Sequence, residues 1–157
     1  MHVVLVEPEI PPNTGSIGRL CAATRTRLHL IKPLGFSLDD RHLKRAGLDY
    51  WPYVDLEVHD SWAEFVELAR PTTLLLFSAR AKASYLDAPF ATTPSAHLVF
   101  GGETRGLPPA LLNAHSAATY RIPLLSPNVR SLNLANAVSI VVFEALRRRG
   151  ALNTSEP

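Results

Sequence analysis

The chain opens on five β-favouring residues, His2-Val3-Val4-Leu5-Val6, and then breaks into Glu7-Pro8-Glu9-Ile10-Pro11-Pro12-Asn13. Two prolines cannot continue a strand interior, and Asn13 or Thr14 offers a side-chain cap. The pattern therefore predicts a strand, a turn and a helix that starts near Thr14. Ile17, Leu20, Cys21 and Thr24 recur at the spacing of one helical face. Leu28 to Lys32 reads as a second strand, and a charged helix over Leu38 to Ala46 stops near Gly47. Ser61 and Glu64 have capping-box spacing at the start of a helix carrying Trp62, Phe65, Val66 and Leu68. Thr73 to Ser78 is a continuous apolar run, as in a strand covered on both faces. Ala96 to Phe100 is a further strand, ending at Gly101-Gly102. A short helix over Pro108 to Ala114 and a strand over Ala118 to Ile122 follow. The longest helix, Leu132 to Arg149, is apolar nearly all round, so it needs cover on more than one side; its own sheet and a partner subunit are the sources. Strands alternating with helices predict an α/β fold, with a mostly parallel sheet flanked by helices. One domain is expected over residues 1–150, with a flexible tail over 151–157.

Composition narrows the class. A chain of 157 residues, 46% hydrophobic and 19% charged, can bury one core and does not have the makeup of a disordered chain. No apolar run approaches the ~20 residues of a membrane helix. The N-terminus shows no secretory pattern. Cys21 is the single cysteine, so neither an internal disulfide nor a cysteine zinc cluster is expected. A reduced, cytoplasmic protein is the expectation. The six histidines are scattered along the sequence, and no metal site is expected; His29, His59 and His115 read as structural. The net charge of +2 is uneven: residues 1–50 carry +2, 51–100 carry −3 and 101–157 carry +3. Ends that meet would form a basic face for phosphate; an ordinary solvated surface is the alternative.

In parallel sheets, ligands bind beyond the carboxyl ends of strands. Ser78 onward, Gly101 to Pro108 and Pro123 to Ser131 occupy such places. The dinucleotide, phosphate-loop and nucleophile-elbow patterns are absent. Gly101-Gly102-Glu103-Thr104-Arg105-Gly106-Leu107-Pro108 combines three glycines with one carboxylate and one guanidinium. Glycine admits a close ligand, with Glu103 and Arg105 at the rim. A tight turn with a surface ion pair reads equally well. Further on, Ser131 can cap the last helix, and Asn133 and Asn136 fall on one of its faces. If buried, both asparagines need partners, from a loop or a subunit contact.

Three segments stand in the order and spacing of known motifs: Pro8 to Leu20 (PEIPPNTGSIGRL), Phe100 to Pro108 (FGGETRGLP) and Ile122 to Arg147 (IPLLSPNVRSLNLANAVSIVVFEALR). With them the chain resembles the SPOUT methyltransferases. Within that family it is similar to the small tRNA (cytidine/uridine-34) 2'-O-methyltransferases, which modify the wobble nucleotide of certain leucine tRNAs; Arg45 to Tyr50 also matches. The resemblance implies a C-terminal trefoil knot, S-adenosyl-L-methionine held there largely by backbone groups, a homodimer, and the tRNA anticodon stem-loop as partner. It assigns the cofactor to Phe77, Ser78, Gly101, Gly102, Glu103, Ile122, Leu124, Ser131, Leu132 and Asn133. Arg19 matches the family's catalytic residue, with Ser131 and Asn133 aligning the hydroxyl or the cofactor. Gly102 stands where some relatives have proline.

Methyl transfer to a 2'-hydroxyl needs in-line alignment, a route for the proton and exclusion of water. It demands no metal, because a sulfonium is a good leaving group, and no covalent cysteine, so Cys21 reads as a packed thiol. Arg19 lies about 200° from Ile17 around the helix and so faces away from the buried side. Neutralising an arginine at pH 7 takes about 8 kcal/mol, which favours orienting the hydroxyl and holding a phosphate over acting as a base. Arg25, Arg27, Arg41, Lys44 and Arg45 are the expected phosphate contacts, and Arg147 to Arg149 complement a helix C-terminus. A ribosomal RNA 2'-O-methyltransferase and a catalytically silent RNA-binding factor are the alternatives.

Overall fold

The computed structural model describes residues 1–38, 48–93 and 95–152, Leu48 and Asp49 by backbone only. The helix expected over Leu38–Ala46, the side chains of Arg41, Lys44 and Arg45, and tail residues 153–157 thus fall outside the described residues. The elements are β1 (His2–Val6), α1 (Pro11–Ala23), β2 (Arg27–Ile31), β3 (Leu56–His59), α2 (Trp62–Ala69), β4 (Thr73–Phe77), β5 (Ala83–Ser84), β6 (Ala96–Gly101), α3 (Pro109–Ala114), β7 (Thr119–Arg121) and α4 (Leu134–Arg148). A 3-10 segment, Leu48–Tyr53, precedes β3.

All seven strands pair in parallel, in the order β3-β2-β1-β6-β4-β7-β5. A central parallel strand is buried on both faces, and β1 shows why its sequence is a continuous apolar run. Val3 and Leu5 pack with Ile17 and Cys21 of α1 and Val138, Val141 and Val142 of α4. Val4 and Val6 face the other way, onto Phe65 of α2 and Leu111 of α3. Helices therefore cover both faces, as the alternating pattern predicts.

Among the differences from expectation, three have a clear local reason. Helix α1 starts at Pro11, with Ile10 as cap and no side-chain cap bond. Prolines fit its first turn because their missing N–H groups would have no helical partner there, and Asn13 and Thr14 are buried inside the helix. Helix α4 is capped by Asn133, not Ser131: Asn133 Oδ1 accepts from Ala135 N at 2.9 Å and Asn136 N at 3.3 Å. Asn136 is exposed and needs no protein partner. Strands β3 and β5 have no counterpart in the expected elements, because four and two residues are too short for an alternation to stand out. In α2, Ser61 Oγ accepts from Glu64 N at 3.2 Å, while the Glu64 carboxylate reaches Asp60 N, one residue short of a full capping box.

Four histidines scattered in sequence meet in the fold. His97, His2, His29 and His59 lie side by side on β6, β1, β2 and β3, with Phe65 against them. His2 stacks on His97 with centroids 4.1 Å apart and planes 17° apart. His2 Nδ1 lies 3.0 Å from His29 Nε2, and His29 Nδ1 lies 3.0 Å from His59 Nε2. Glu57 Oε2 lies 3.3 Å from His29 Nδ1 and 3.7 Å from His59 Nε2, so ligand atoms of His29, Glu57 and His59, and of His2, His29 and His97, fall within 4.8 Å of one another. Burial pushes His29 down to about 3 and His97 to about 4, with the neighbouring imidazoles adding to both shifts.

Candidate active site

Beyond the carboxyl ends of three adjacent strands, β6, β4 and β7, the chain encloses a cleft of about 800 Å3. Its walls come from the segments that follow those strands, and Ile10 and Asn13 from the start of α1 complete it. All of Phe77, Ser78, Gly101, Gly102, Glu103, Ile122, Leu124, Ser131, Leu132 and Asn133 line this space. Arg19 does not. It lies six residues beyond Asn13, about 9 Å along the helix axis, exposed, with its guanidinium 4.7 Å above the Tyr50 ring.

The two glycines that end β6 are required by chain on chain. A Cβ on Gly101 would lie 2.1 Å from the Gly106 carbonyl carbon, and one on Gly102 would lie 2.4 Å from the Glu7 oxygen. Gly106 N donates to Gly102 O at 2.9 Å, closing the turn, and Gly106 takes the left-handed φ of 70° that favours glycine. Glu103 stands on that turn but makes no ion pair with Arg105. Its Oε2 accepts from Glu9 N at 2.8 Å, and its Oε1 accepts from Ile10 N at 3.3 Å and Asn13 Nδ2 at 2.9 Å. A carboxylate there satisfies the Glu9 and Ile10 N–H groups just before α1 and complements the helix dipole. Asn13 Oδ1 in turn accepts from Asn133 Nδ2 at 2.9 Å. One chain of hydrogen bonds thus runs from the turn after β6, through α1, to the cap of α4.

The cleft offers both kinds of contact that an adenosine derivative needs. Phe77 stacks beside Phe100 at 5.0 Å beneath it, and Ile122, Leu124, Leu132 and Leu134 add apolar wall. Among the described residues, the N–H groups of Leu124, Ser131 and Leu132 meet no acceptor in the chain. Open backbone donors between apolar side chains can read the edge of a base and enclose its ring, and the volume suits a ligand of that size.

Residues 1–143 match the SpoU rRNA Methylase family. The chain belongs to that family. A tRNA (cytidine(34)-2'-O)-methyltransferase of Burkholderia pseudomallei is 51% identical over 152 residues, covering 95% of this chain and 96% of the relative. A solved structure from work on the 2-OH methylation of C/U34 on tRNA is 49% identical with a TM-score of 0.88, covering 96% of both chains. The SpoU methyltransferase AviRb of Streptomyces viridochromogenes, solved with the cofactor AdoMet, is 26% identical with a TM-score of 0.81. That match covers 96% of this chain and 61% of AviRb.

In this SpoU methylase, one expected phosphate contact, Arg27, is committed elsewhere. Arg27 pairs with Asp55 at 2.7 Å and Glu57 at 2.8 Å, where β2 begins. That is the end of a parallel sheet opposite the cleft, and Arg25 lies in the turn just before it. Arg147 forms a two-pronged pair with Glu144, and Arg148 donates to Leu86 O. Cys21 is buried, and burial pushes its thiol up to about 12, so it is a packing residue. Absent from the expected site are Asn13, which joins Glu103 to Asn133, and Arg80 and Arg130, which line the cleft beside Arg105. Tyr50, quoted above only within a motif, carries Arg19 on its ring and donates from its hydroxyl to Gly15 O at 2.9 Å. No spacing in the sequence signals these pairings.

Proposed function

We propose that this chain transfers a methyl group from S-adenosyl-L-methionine to the ribose 2'-hydroxyl of the wobble nucleotide, cytidine or uridine 34, of tRNA, with leucine tRNAs as the substrates its sequence resemblance points to. The observation that carries the proposal is the meeting of three distant motifs at one cleft through Glu103, Asn13 and Asn133. The activity named for the relatives that match nearly the full chain supports the same reading.

S-adenosyl-L-methionine supplies, when bound, a methyl group on a good leaving group. Phe77, Ile122, Leu124 and Leu132 exclude water around it, Ser78, Gly101 and Gly102 present backbone, and Glu103 fixes the wall of the cleft. Ser131 and Asn133 align the reacting groups at the start of α4. The Arg19 guanidinium has five donors and no acceptor, so it orients the 2'-oxygen by donating and holds an adjacent phosphate. A second copy of the chain brings Arg19 to the cleft, since Arg19 does not line the cleft of its own chain. Exposed Ile140 and Phe143 on α4 support such a dimer. The C-terminal knot belongs to the same proposal, supported by a sheet order in which the chain after β7 must return α4 onto α1. Among the described residues no helix is long and apolar enough to cross a membrane; a cytoplasmic location completes the reading.

The test uses labelled S-adenosyl-L-methionine and bulk tRNA from a strain lacking this gene, followed by nucleoside mapping. Label in 2'-O-methylcytidine or 2'-O-methyluridine at position 34 is the expected result. Label confined to ribosomal RNA would transfer the activity to that substrate. Cofactor binding with no label in any RNA would leave a silent binding factor.

A further inference from the structure

The cleft carries more positive charge than its cofactor can use. Arg80, Arg105 and Arg130 all line it, each on the segment that follows one of the three adjacent strands β4, β6 and β7. All three are exposed, and among the described residues none of their guanidiniums meets a carboxylate. Three cations elsewhere in the fold are neutralised, Arg27 by Asp55 and Glu57, Lys32 by Asp60 and Arg147 by Glu144, whereas Arg80, Arg105 and Arg130 converge on one cleft with no carboxylate to meet them among the described residues. Glu103, the one acidic residue lining the cleft among the described residues, has its oxygens engaged by Glu9 N, Ile10 N and Asn13 Nδ2. S-adenosyl-L-methionine is a cation with a single carboxylate, so three unpaired guanidiniums repel its sulfonium more than they serve it. They suit a polyanion with regularly spaced charges that approaches the mouth from outside.

We infer that Arg80, Arg105 and Arg130 form a phosphate clamp that holds the RNA backbone on either side of the nucleotide being methylated. The inference rests on the proposed RNA methyltransferase activity and adds the residues that seat the substrate. Guanidinium forks match phosphate oxygens, and contacts of this kind position a nucleic acid without reading its sequence. Three arginines on three separate segments fix the direction of the strand as well as its distance from the cofactor. The net charge of +2 per chain is too small to seat RNA by a general field, so placed contacts must supply the attraction.

The test is a salt titration of binding between the full chain and a synthetic anticodon stem-loop, read by fluorescence anisotropy. Arg80→Gln, Arg105→Gln, Arg130→Gln and their triple combination are compared with Arg70→Gln, an exposed arginine away from the cleft. Each clamp substitution should lower the slope of log affinity against log salt by about 0.7 to 0.9, the release expected for one phosphate contact. The triple variant should lose roughly two slope units or more, while its calorimetric affinity for S-adenosyl-L-methionine stays within about twofold. Circular dichroism checks that each variant is folded, and any single variant that is folded reports on its own arginine. An unchanged slope in the triple variant overturns the clamp, and so does a tenfold loss of cofactor affinity, which would assign the arginines to the cofactor. A wild-type chain that binds RNA through the three arginines but transfers no methyl keeps the clamp and refutes the activity. One that methylates RNA equally well without them does the reverse, and a wild-type chain that binds no RNA refutes both.

Discussion

Asn133 donates from Nδ2 to Oδ1 of Asn13 at 2.9 Å, joining the cap of the last helix to the first turn of the first helix across 120 positions of sequence. Each asparagine is spent twice. Asn13 also donates to Glu103, and Asn133 also caps α4 through its own Oδ1. Breaking this one contact loosens three walls of the cleft together.

Replacing Asn133 with alanine removes a helix cap and leaves the buried Asn13 with an unpaired oxygen. Caps are worth about 0.5–2 kcal/mol, and an orphaned buried acceptor costs about 1–3 kcal/mol. Urea denaturation should show a loss of about 2–4 kcal/mol. Calorimetry should show weaker binding of S-adenosyl-L-methionine. Asn133→Asp keeps the cap but loses the donor to Asn13, so its stability should fall between the two.

Gly101→Ala tests whether chain-on-chain packing builds the cleft. The new methyl would meet the backbone of Gly106 and Leu107, which cannot rotate away as a flexible side chain would. Overpacking of this kind ranges to about 3 kcal/mol and beyond, so the variant should lose at least about 3 kcal/mol or fail to fold. Gly106→Ala meets no atom within 4 Å but is strained by its φ of 70°, so the milder loss should be there. Thermal melts of the two variants give the order directly.

Tyr50 holds Arg19 by its ring and holds itself by its hydroxyl, and substitutions separate the two. Tyr50→Phe keeps the ring 4.7 Å beneath the guanidinium but loses the bond to Gly15 O. Tyr50→Leu loses both. A cation–π contact is worth about 0.5–2 kcal/mol, so kcat of the Leu variant should fall roughly fivefold below that of the Phe variant. KM for S-adenosyl-L-methionine should be the same in both, because Tyr50 does not line the cleft.

The histidine ladder predicts acid sensitivity. His29 and His97 are held at about 3 and about 4 in the fold, below the 6.5 of a free imidazole. Between those values the unfolded chain binds more protons than the folded one, so stability is full above pH 6.5 and declines as pH falls towards 4. Each histidine removes about 1.4 kcal/mol per pH unit across that window. Urea midpoints measured from pH 7.5 to pH 4.5 should therefore fall steadily. His97→Gln should flatten the decline, whatever its effect on stability at pH 7.5.

Much of this site was legible in the sequence. The ten residues that the family resemblance assigns to the cofactor share one cleft because they end or follow β4, β6 and β7, and parallel sheets bind ligands beyond those ends. What the sequence hid were partners. Glu103 beside Arg105 reads as an ion pair, yet the Glu9 and Ile10 N–H groups just before α1 claim the carboxylate. Arg27 reads as a phosphate contact, yet β3, a four-residue strand too short to stand out, supplies a carboxylate from the neighbouring position in the sheet. The pattern starts α1 near Thr14, three residues late, because two prolines look like breakers until their missing N–H groups fall where a helix needs none. Four histidines at separations of tens of residues carry no sign of their stacking, which strand order alone creates.

The most direct measurement compares two synthetic anticodon stem-loops that differ only at nucleotide 34, one with ribose and one with 2'-deoxyribose, each incubated with the protein and S-adenosyl-L-methionine and then weighed by mass spectrometry. The account predicts one added methyl on the ribose substrate and none on the deoxyribose substrate, with both products unmethylated when Arg19 is replaced by alanine. Methylation of the deoxyribose substrate, or of neither by a protein that binds both cofactor and RNA, would contradict it.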